Sequence, residues 1–266
     1  MPTPEVTGAE YRIGDVDPNA KVTLPTGYPR AGTQSRTLVG VDGCPDGWVA
    51  VIETDGALDA FVVADFPALL SRCPEDAIVA IDVPIGLPEA GSRPCDTEVR
   101  KFLKAPRSSS VFPAPVRPCL QADVYDVACE LHRSADGRSL SRQAFSILKK
   151  IREVDAVLEA SPALQDRVRE VHPEVSFALW NGGAAMLYSK KRNAGRTERE
   201  ALIDHTWTGQ RGLIATKLSG HRYNADDLND AFAALWTARR IAAGNARTFG
   251  TPTVRDQLGL RMEIVA

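Results

Sequence analysis

The chain lacks the sequence features that identify membrane, secreted and zinc-binding proteins. No apolar run approaches the roughly 18 residues of a membrane span, and no charged-then-apolar signal peptide opens the chain. The five cysteines are odd in number and form no C-x-x-C pair, so neither a disulfide framework nor a zinc site is indicated. We therefore expect a protein of the reducing cytoplasm that has no membrane partner.

A net positive charge is missing as well. The 266 residues include 32 Lys and Arg against 34 Asp and Glu, which gives a formal net charge of -2. No global field would attract nucleic acid, so any such binding must come from a local patch. Hydrophobic residues make up 44% of the chain and charged residues 25%, which is typical of globular proteins, and the length suits one large domain or two small ones.

What is present is a set of apolar runs, two of which end on an aspartate. Residues 37–42 predict a strand buried on both faces, because their apolar side chains do not alternate with polar ones. Residues 47–52 and 57–63 flank an Asp-Gly turn signal and complete three antiparallel strands. A short helix and a second buried run at 77–82 then indicate a parallel crossover, so we predict an α/β fold with a mixed sheet.

The rest of the chain is predicted to be mainly helical. Residues 1–36 show little apolar periodicity and are predicted to be an N-terminal extension or arm, which leaves 37–266 as a single domain. Apolar residues at helical spacing indicate a helical insertion over about 119–165, and the alternation over 168–175 predicts a strand, at an edge or with a bulge because it contains a proline. The predicted helices are 66–72, 94–103, 120–132, 142–158, 195–207 and 226–243, and a final short strand is predicted at 261–265.

Four aspartates are predicted to converge. Asp42 and Asp82 end buried strands, where an unpaired carboxylate is costly, and the carboxyl ends of neighbouring strands are where open α/β sheets bind ligands. Asp227 and Asp230 lie three residues apart on one face of the last long helix, at the start of an alanine stripe that lets the helix approach the sheet closely. Glu174, after the insertion, is a further candidate. The stripe consists of Ala231, Ala234, Ala238 and Ala242.

Carboxylates that converge repel one another unless a cation lies between them. Oxygen ligands favour Mg²⁺ or Mn²⁺, and such a cluster can hold two ions about 3.5–4 Å apart, one activating water and one stabilising the leaving oxygen of a phosphodiester. The predicted catalytic residues are Asp42, Asp82, Glu174 and Asp230, and the predicted metal ligands are Asp42, Asp82, Asp227 and Asp230.

Each acid also has an explanation that needs no metal. Asp42 can be a turn residue and Asp82 can close its strand end in the same way. Asp227 and Asp230 can serve the helix N-terminus through capping and the macrodipole, and Glu174 can lie on a solvated edge. These alternatives stay open at this stage.

Candidate contacts to a phosphate backbone come from two segments. Lys190, Lys191 and Arg196 belong to the only concentrated basic stretch, and Arg107 and Ser109 belong to a loop rich in hydroxyls. A solvated surface run, with acidic residues interspersed, is the alternative for the first group. For the second group the alternative is a loop shaped by its own hydroxyls.

Seven short blocks occur in order along the chain: GVDGCPDGW (40–48), IDVPIGLP (81–88), RPCD (93–96), SSVFPAP (109–115), HPEVSF (172–177), SKK (189–191) and DDLNDA (226–231). Together they resemble the predicted RNase H-like nucleases, a family catalogued among domains of unknown function, over about residues 37–245. The resemblance implies an RNase H-like fold, with three antiparallel strands followed by parallel ones. It also implies active-site acids at Asp42, Asp82, Glu174 and either Asp227 or Asp230.

Three functions follow from these observations. The first is a metal-dependent nuclease that hydrolyses phosphodiester bonds of structured DNA or RNA by a two-metal carboxylate mechanism. The alternative is a non-catalytic nucleic-acid or protein-binding module on the same fold, which the net charge of -2 keeps open. An actin-like sugar kinase or ATPase ranks last, because it predicts a second Asp-Gly hairpin and a longer chain, and neither is found.

Overall fold

A five-stranded sheet forms the centre of the chain in the computed structural model, which describes residues 36–266. The extension predicted for residues 1–36 therefore lies outside the described residues except for its last one. In space the strand order is β3-β2-β1-β4-β5. In chain order the strands are β1 (Leu38–Cys44), β2 (Gly47–Thr54), β3 (Ala57–Val63), β4 (Ile78–Ile81) and β5 (Val168–Glu170).

The pairing of the strands confirms the predicted mixed sheet. β1, β2 and β3 are antiparallel neighbours, whereas β4 pairs parallel with β1 and β5 pairs parallel with β4. Asp55 and Gly56 form the tight turn between β2 and β3 with positive φ angles of 53° and 81°, the conformation that an Asp-Gly pair adopts readily.

Helices cover both faces of this sheet. The helices among residues 36–266 are α1 (Phe66–Ser71), α2 (Pro94–Leu103), α3 (Tyr125–Asp136), α4 (Arg142–Ser146), α5 (Leu148–Ala160), α6 (Pro173–Trp180), α7 (Asn193–Thr206), α8 (Gln210–Lys217) and α9 (Ala225–Ala242). A small second sheet pairs β6 (Thr248–Phe249) with β7 (Ile264–Val265). No helix of this part of the chain is long and apolar enough to span a bilayer.

Helix α9 packs directly on β1, as the alanine stripe predicts. Gly40 makes the contact possible, because a Cβ atom at this position would lie 2.1 Å from the carbonyl oxygen of Ala231 and 2.1 Å from the backbone nitrogen of Leu235. Ala231, Ala234 and Ala238 are completely buried, whereas Ala242 is exposed, so the stripe ends one turn earlier than predicted. Alternate residues of a strand share a face, so Asp42 lies on the face of Gly40, the face that α9 covers.

The opposite face of the sheet carries the helical insertion. Ile151, Val154 and Leu158 of α5 pack into one apolar cluster with Val39 and Val41 of β1. The segment between β4 and β5 is helical, but the helix predicted at 142–158 is interrupted at Ile147, and the helix predicted at 120–132 begins later, at Tyr125. Helix α8 follows α7 and was not predicted.

The prediction of a strand over 168–175 is wrong for the second half of that range. β5 ends at Glu170, and α6 begins at Pro173. Proline is well suited to the first position of a helix, because its fixed φ is helical and its missing N–H would have no partner there. Glu174 consequently lies in the first turn of a helix instead of on a strand. β5 is at the edge of the sheet, which agrees with the predicted edge position.

Candidate active site at the ends of β1 and β4

A cavity of about 440 Å³ opens where β1, β4 and β5 end. Asp42 and Asp82 both line it. Val41 pairs with Ile81 in the parallel ladder, and the backbone N–H of Asp82 donates to the carbonyl of Val41 at 3.0 Å. Asp42 and Asp82 therefore occupy adjacent positions at the ends of two neighbouring parallel strands. Their side chains project to the same face of the sheet, as the sequence predicts.

Asp230 approaches this pair from α9, and Lys190 comes with it. Asp230 is 2% exposed, and its Oδ2 accepts a hydrogen bond from Nζ of Lys190 at 2.5 Å. Lys190 also lines the cavity that contains Asp42 and Asp82. Asp230 itself is not among the residues that line the cavity, and the side chain of Lys190 connects it to that cavity.

The pKa values of Asp42 and Asp82 are raised by burial and by the negative charges of neighbouring carboxylates. Burial raises the pKa of Asp42 well above its usual range, and the negative charges of Asp82 and Asp230 raise it further. Burial, followed by the charge of Asp230, raises the pKa of Asp82 to about 8. Lys190 opposes both shifts. Asp230 is therefore within electrostatic reach of Asp42 and Asp82, and burial and mutual repulsion both favour the protonated forms of that pair.

Asp42 and Asp82 form no ion pair with any of the residues 36–266. One oxygen of Asp42 accepts the backbone N–H of Gly43 at 2.7 Å, which is the turn contact that the sequence left open. The carboxylate of Asp82 has no hydrogen-bond donor in the described part of the chain. In that same part, no three His, Cys, Asp or Glu side chains are grouped closely enough to hold a metal ion.

Asp227 caps its own helix. Its Oδ2 accepts hydrogen bonds from the backbone N–H of Asn224 at 2.7 Å and from the side-chain amide of Asn224 at 3.0 Å, which forms a capping box at the start of α9. Burial raises the pKa of Asp227 to about 6. Asp227 is not among the residues that line the cavity, so its geometry is that of the capping explanation.

Glu174 lines the cavity, but its carboxylate already forms an ion pair with an arginine. Both of its carboxylate oxygens accept hydrogen bonds from Nη2 of Arg199 on α7, at 2.6 and 2.8 Å. Arg199 is itself 1% exposed and also donates to the carbonyl of Gly195. No sequence pattern indicates this pair, because Arg199 stands in a charged stretch that predicts a solvated surface.

Four of the five residues predicted to contact phosphate line the cavity, and one does not. Arg107, Ser109, Lys190 and Lys191 line the cavity, whereas Arg196 is exposed on α7 and is not part of the lining. The hydroxyl of Ser109 donates to the carbonyl of Pro106 at 2.8 Å, so it shapes its loop. Arg107 and Lys191 have no acidic partner among residues 36–266.

Three parts of the site were missed. Lys150 of α5 reaches the cavity, donates to the carbonyl of Gly47 and lies 4.5 Å from the ring centroid of Trp48. No sequence pattern indicates this, because the insertion was predicted without a role. His172 also lines the cavity, and its buried Nδ1 has no hydrogen-bond partner among residues 36–266. Burial lowers the pKa of His172 to about 4.

The third missed part is a buried ion network beneath the cavity. The guanidinium group of Arg93 bonds both carboxylate oxygens of Glu170 on β5, at 2.6 and 2.7 Å, and it also bonds Asp96. Glu170 in turn accepts the backbone N–H of Ile85 at 2.7 Å. The network fixes the chain after β4 against the end of β5. The RPCD block contained its Arg and Asp, but their partner on β5 was not predicted.

Comparison with known protein families gives one match. The model of a family described as a protein of unknown function, DUF429, matches residues 40–255. The match spans most of the chain, including most of β1, all of β2 to β5 and α9, and the chain therefore belongs to this family. Searches of curated proteins and of solved structures found no match.

Proposed function

We propose that this member of the DUF429 family is a metal-dependent nuclease with an RNase H-like fold, which hydrolyses phosphodiester bonds of structured nucleic acid. The observation that carries the proposal is the pair Asp42 and Asp82, which lines a cavity from adjoining parallel strands and has no cationic partner in the described chain. The RNase H-like assignment is supported by the strand order, with three antiparallel strands followed by two parallel ones, and by a helix bearing Asp230 against β1.

The donor set suits a hard divalent cation. Mg²⁺ in proteins is commonly held by one or two carboxylates, with waters and substrate phosphates completing its coordination, so Asp42 and Asp82 suffice for one ion. A second ion would need Asp230, whose Oδ2 is bonded to Lys190. Bound there, Mg²⁺ or Mn²⁺ would lower the pKa of a water nucleophile and offset charge on the leaving oxygen.

The chain's own cations would hold the nucleic acid. Arg107, Lys150 and Lys191 line the cavity and have no acidic partner among residues 36–266. Basic side chains of this kind bind phosphates and set the register of the strand without reading its sequence. They come from three different segments around the carboxylates, an arrangement that would let them hold a phosphate beside the acids.

The direct test is a Mg²⁺- or Mn²⁺-dependent cleavage assay on branched, single-stranded and RNA–DNA hybrid substrates. We expect the wild type to cleave at least one of them and Asp42→Asn and Asp82→Asn each to lose at least about 100-fold, since even outer-shell partners of a metal contribute about 10- to 100-fold. The matched control is Asp46→Asn in the same turn, because Asp46 pairs with Arg222 at 2.7 Å and does not line the cavity.

The nuclease proposal fails if none of these substrates is cleaved by the wild type. It also fails if Asp42→Asn and Asp82→Asn cleave as fast as Asp46→Asn, because activity would then not depend on the carboxylate pair.

One observation favours a non-catalytic nucleic-acid-binding module as the second candidate. Lys190 neutralises Asp230 without any metal, so the site is partly satisfied as it stands. A binding module predicts that labelled nucleic acid binds equally well in EDTA and in Mg²⁺, that it remains intact, and that Asp42→Asn does not weaken binding.

A further inference from the structure

The cavity at the ends of β1 and β4 has the size of a site for one small organic molecule. Its volume of about 440 Å³ lies within the range of roughly 300–1,000 Å³ that is typical of pockets for such ligands. A single nucleotide is a ligand of this kind, whereas a stretch of base-paired duplex is much larger. A nucleic acid that uses this cavity therefore has to enter it as one nucleotide that is not held in a helix.

Arg107 brings to the cavity a positive charge that no acid of the described chain neutralises. It is half-buried, lines the cavity and forms no ion pair with any of the residues 36–266. Its buried Nε has no hydrogen-bond partner in that range either, and such atoms are rare in folded proteins unless a ligand or an ordered water satisfies the group. A guanidinium group presents its donors in a fork that matches the oxygens of a phosphate. Arg107 is thus suited to a phosphate group of the ligand.

His172 and Phe112 offer the cavity two further kinds of contact. An imidazole ring has two nitrogens for hydrogen bonds, and Nδ1 of His172 is unused among residues 36–266. Phe112 is half-buried, packs against the apolar cluster of the helical insertion and lines the same cavity. An aromatic ring in such a position can stack on a base of any sequence, because every base has a flat face.

The charges around the cavity favour a ligand that is partly anionic. Set aside the residues of the lining that are in ion pairs, and the bases outnumber the acids. Those without an ionic partner among residues 36–266 are Arg107, Lys150, Lys191, Asp42 and Asp82. An inorganic anion would use only the bases, and a nucleoside would use only the ring of Phe112. A nucleotide uses both.

From these features we infer that the cavity binds one unpaired nucleotide, with Arg107 contacting its phosphate and Phe112 stacking on its base. Such a nucleotide is found in a single strand, at a strand end, or at a bulge or branch, where no intact base pair has to be opened. The inference rests on the proposed nuclease function and names its substrate class, since an unpaired nucleotide can reach Asp42 and Asp82 and a continuous duplex cannot.

The first test measures binding of adenosine 5′-monophosphate, adenosine and inorganic phosphate to the full chain in EDTA, by titration calorimetry. Arg107→Gln should weaken binding of the monophosphate at least about tenfold, because a hydrogen bond between charged groups is lost. It should change binding of adenosine by less than about twofold, since adenosine carries no phosphate. The substitution breaks no ion pair within residues 36–266, and circular dichroism checks that the variant is folded.

Phe112→Leu tests the base contact. It should weaken binding of adenosine and of the monophosphate about tenfold each, through loss of the stacked ring, and leave binding of phosphate unchanged. The matched control is Phe145→Leu, because Phe145 is also half-buried and packs against the same apolar cluster but does not line the cavity. The control for Arg107 is Arg196→Gln, which is exposed and outside the lining. Each control should stay within about twofold of the wild type.

The second test compares nucleic acids in EDTA by fluorescence anisotropy of a labelled single-stranded oligonucleotide. Adenosine 5′-monophosphate should displace the label. A relaxed, covalently closed circular duplex, which has no strand ends, should compete at least about tenfold less well per nucleotide than an unlabelled single strand, because its bases must first be unpaired and unstacked.

The inference is overturned if the monophosphate does not bind, or binds no more tightly than inorganic phosphate. It is also overturned if Arg107→Gln and Phe112→Leu bind the monophosphate as well as their controls, or if the closed duplex competes as well as the single strand. None of these measurements needs a metal or cleavage. Nucleotide binding by a chain that cleaves no substrate supports the inference and contradicts the nuclease function, whereas cleavage without nucleotide binding does the reverse.

Discussion

At the scale of single residues, Glu174 and Asp230 differ in what neutralises them. Asp230 is paired with a lysine that is one-third exposed, whereas Glu174 is paired through both oxygens with an arginine that is almost inaccessible. Arg199 also bonds the carbonyl of Gly195 and lies over the ring of Phe177, 5.5 Å from its centroid. The second pair therefore holds α6 against α7.

We predict that Arg199→Met lowers the free energy of unfolding by about 3–5 kcal/mol, because it leaves the carboxylate of Glu174 buried and unpaired. Urea unfolding followed by circular dichroism measures the change. The double variant Arg199→Met/Glu174→Leu should recover part of the loss. The control Arg222→Met breaks an exposed pair with Asp46 and should cost less than about 1 kcal/mol. A loss for Arg199→Met no larger than the control would contradict a structural role for the Glu174 pair.

His172 predicts a pH dependence of stability. Its pKa falls from 6.5 to about 4 in the folded chain, mainly through burial and also through the charge of Lys190, while Asp230 acts in the opposite direction. Between these values the unfolded chain binds a proton that the folded chain does not, so stability is present at pH 7 and is lost as the pH falls toward 4.

We expect the wild type to lose up to about 2 kcal/mol more between pH 7 and pH 5 than His172→Asn does, a figure that follows from the two pKa values. Urea denaturation of both proteins at the two pH values gives the difference. Equal losses would show that His172 is accessible to protons in the folded state.

At the scale of elements, the contact between α9 and β1 sets the position of Asp230. Gly40→Ala would drive a Cβ atom into the backbone of α9, so we predict a loss of at least about 1–3 kcal/mol of stability, as for an overpacked core. Gly212→Ala in α8 is the control, because nothing lies within 4 Å of its added Cβ atom, and it should be neutral or stabilising. Thermal melting compares the two variants. If Gly40→Ala and Gly212→Ala have the same melting temperature, the packing of α9 on β1 does not depend on this close approach.

The elements that the sequence predicts well are those whose patterns are local. The Asp-Gly pair at 55–56 specifies its hairpin, and the apolar runs before Asp42 and Asp82 specify buried strands. The boundary between β5 and α6 was missed, because the alternation that begins in β5 continues by chance into the first turn of a helix. Pro173 permits both a strand edge and a helix start, and only the packing of α6 decides between them.

The site could be predicted where it lies on strand ends and could not where it depends on long-range pairs. Asp42 and Asp82 meet because parallel strands bring their carboxyl ends together. The sequence predicts Lys190 only as a contact to phosphate, since nothing in its local sequence points to Asp230, 40 residues later. Lys150 belongs to an insertion that had no predicted role.

At the scale of the whole molecule, the net charge of -2 hides a local concentration of cations. Arg107, Lys150 and Lys191 line one cavity without acidic partners among residues 36–266. If each binds one phosphate, the logarithm of the association constant for single-stranded nucleic acid should fall against the logarithm of salt concentration with a slope of about -2, at roughly -0.7 per phosphate.

Fluorescence anisotropy of a labelled oligonucleotide in EDTA measures this slope. Lys191→Gln should make it shallower by about 0.7, whereas Arg196→Gln should leave it unchanged, because Arg196 lies outside the cavity lining. If Arg196→Gln makes the slope shallower and Lys191→Gln does not, nucleic acid binds to α7 and not at the cavity.

The position of α9 near the end of the chain has a consequence for how the protein is made. A ribosome synthesises Asp42 and Asp82 early, but Lys190 and Asp230 emerge much later, and β1 stays uncovered on one face until residues 225–242 are free to dock. For the proposed nuclease, Asp230 therefore joins Asp42 and Asp82 only when α9 docks on β1.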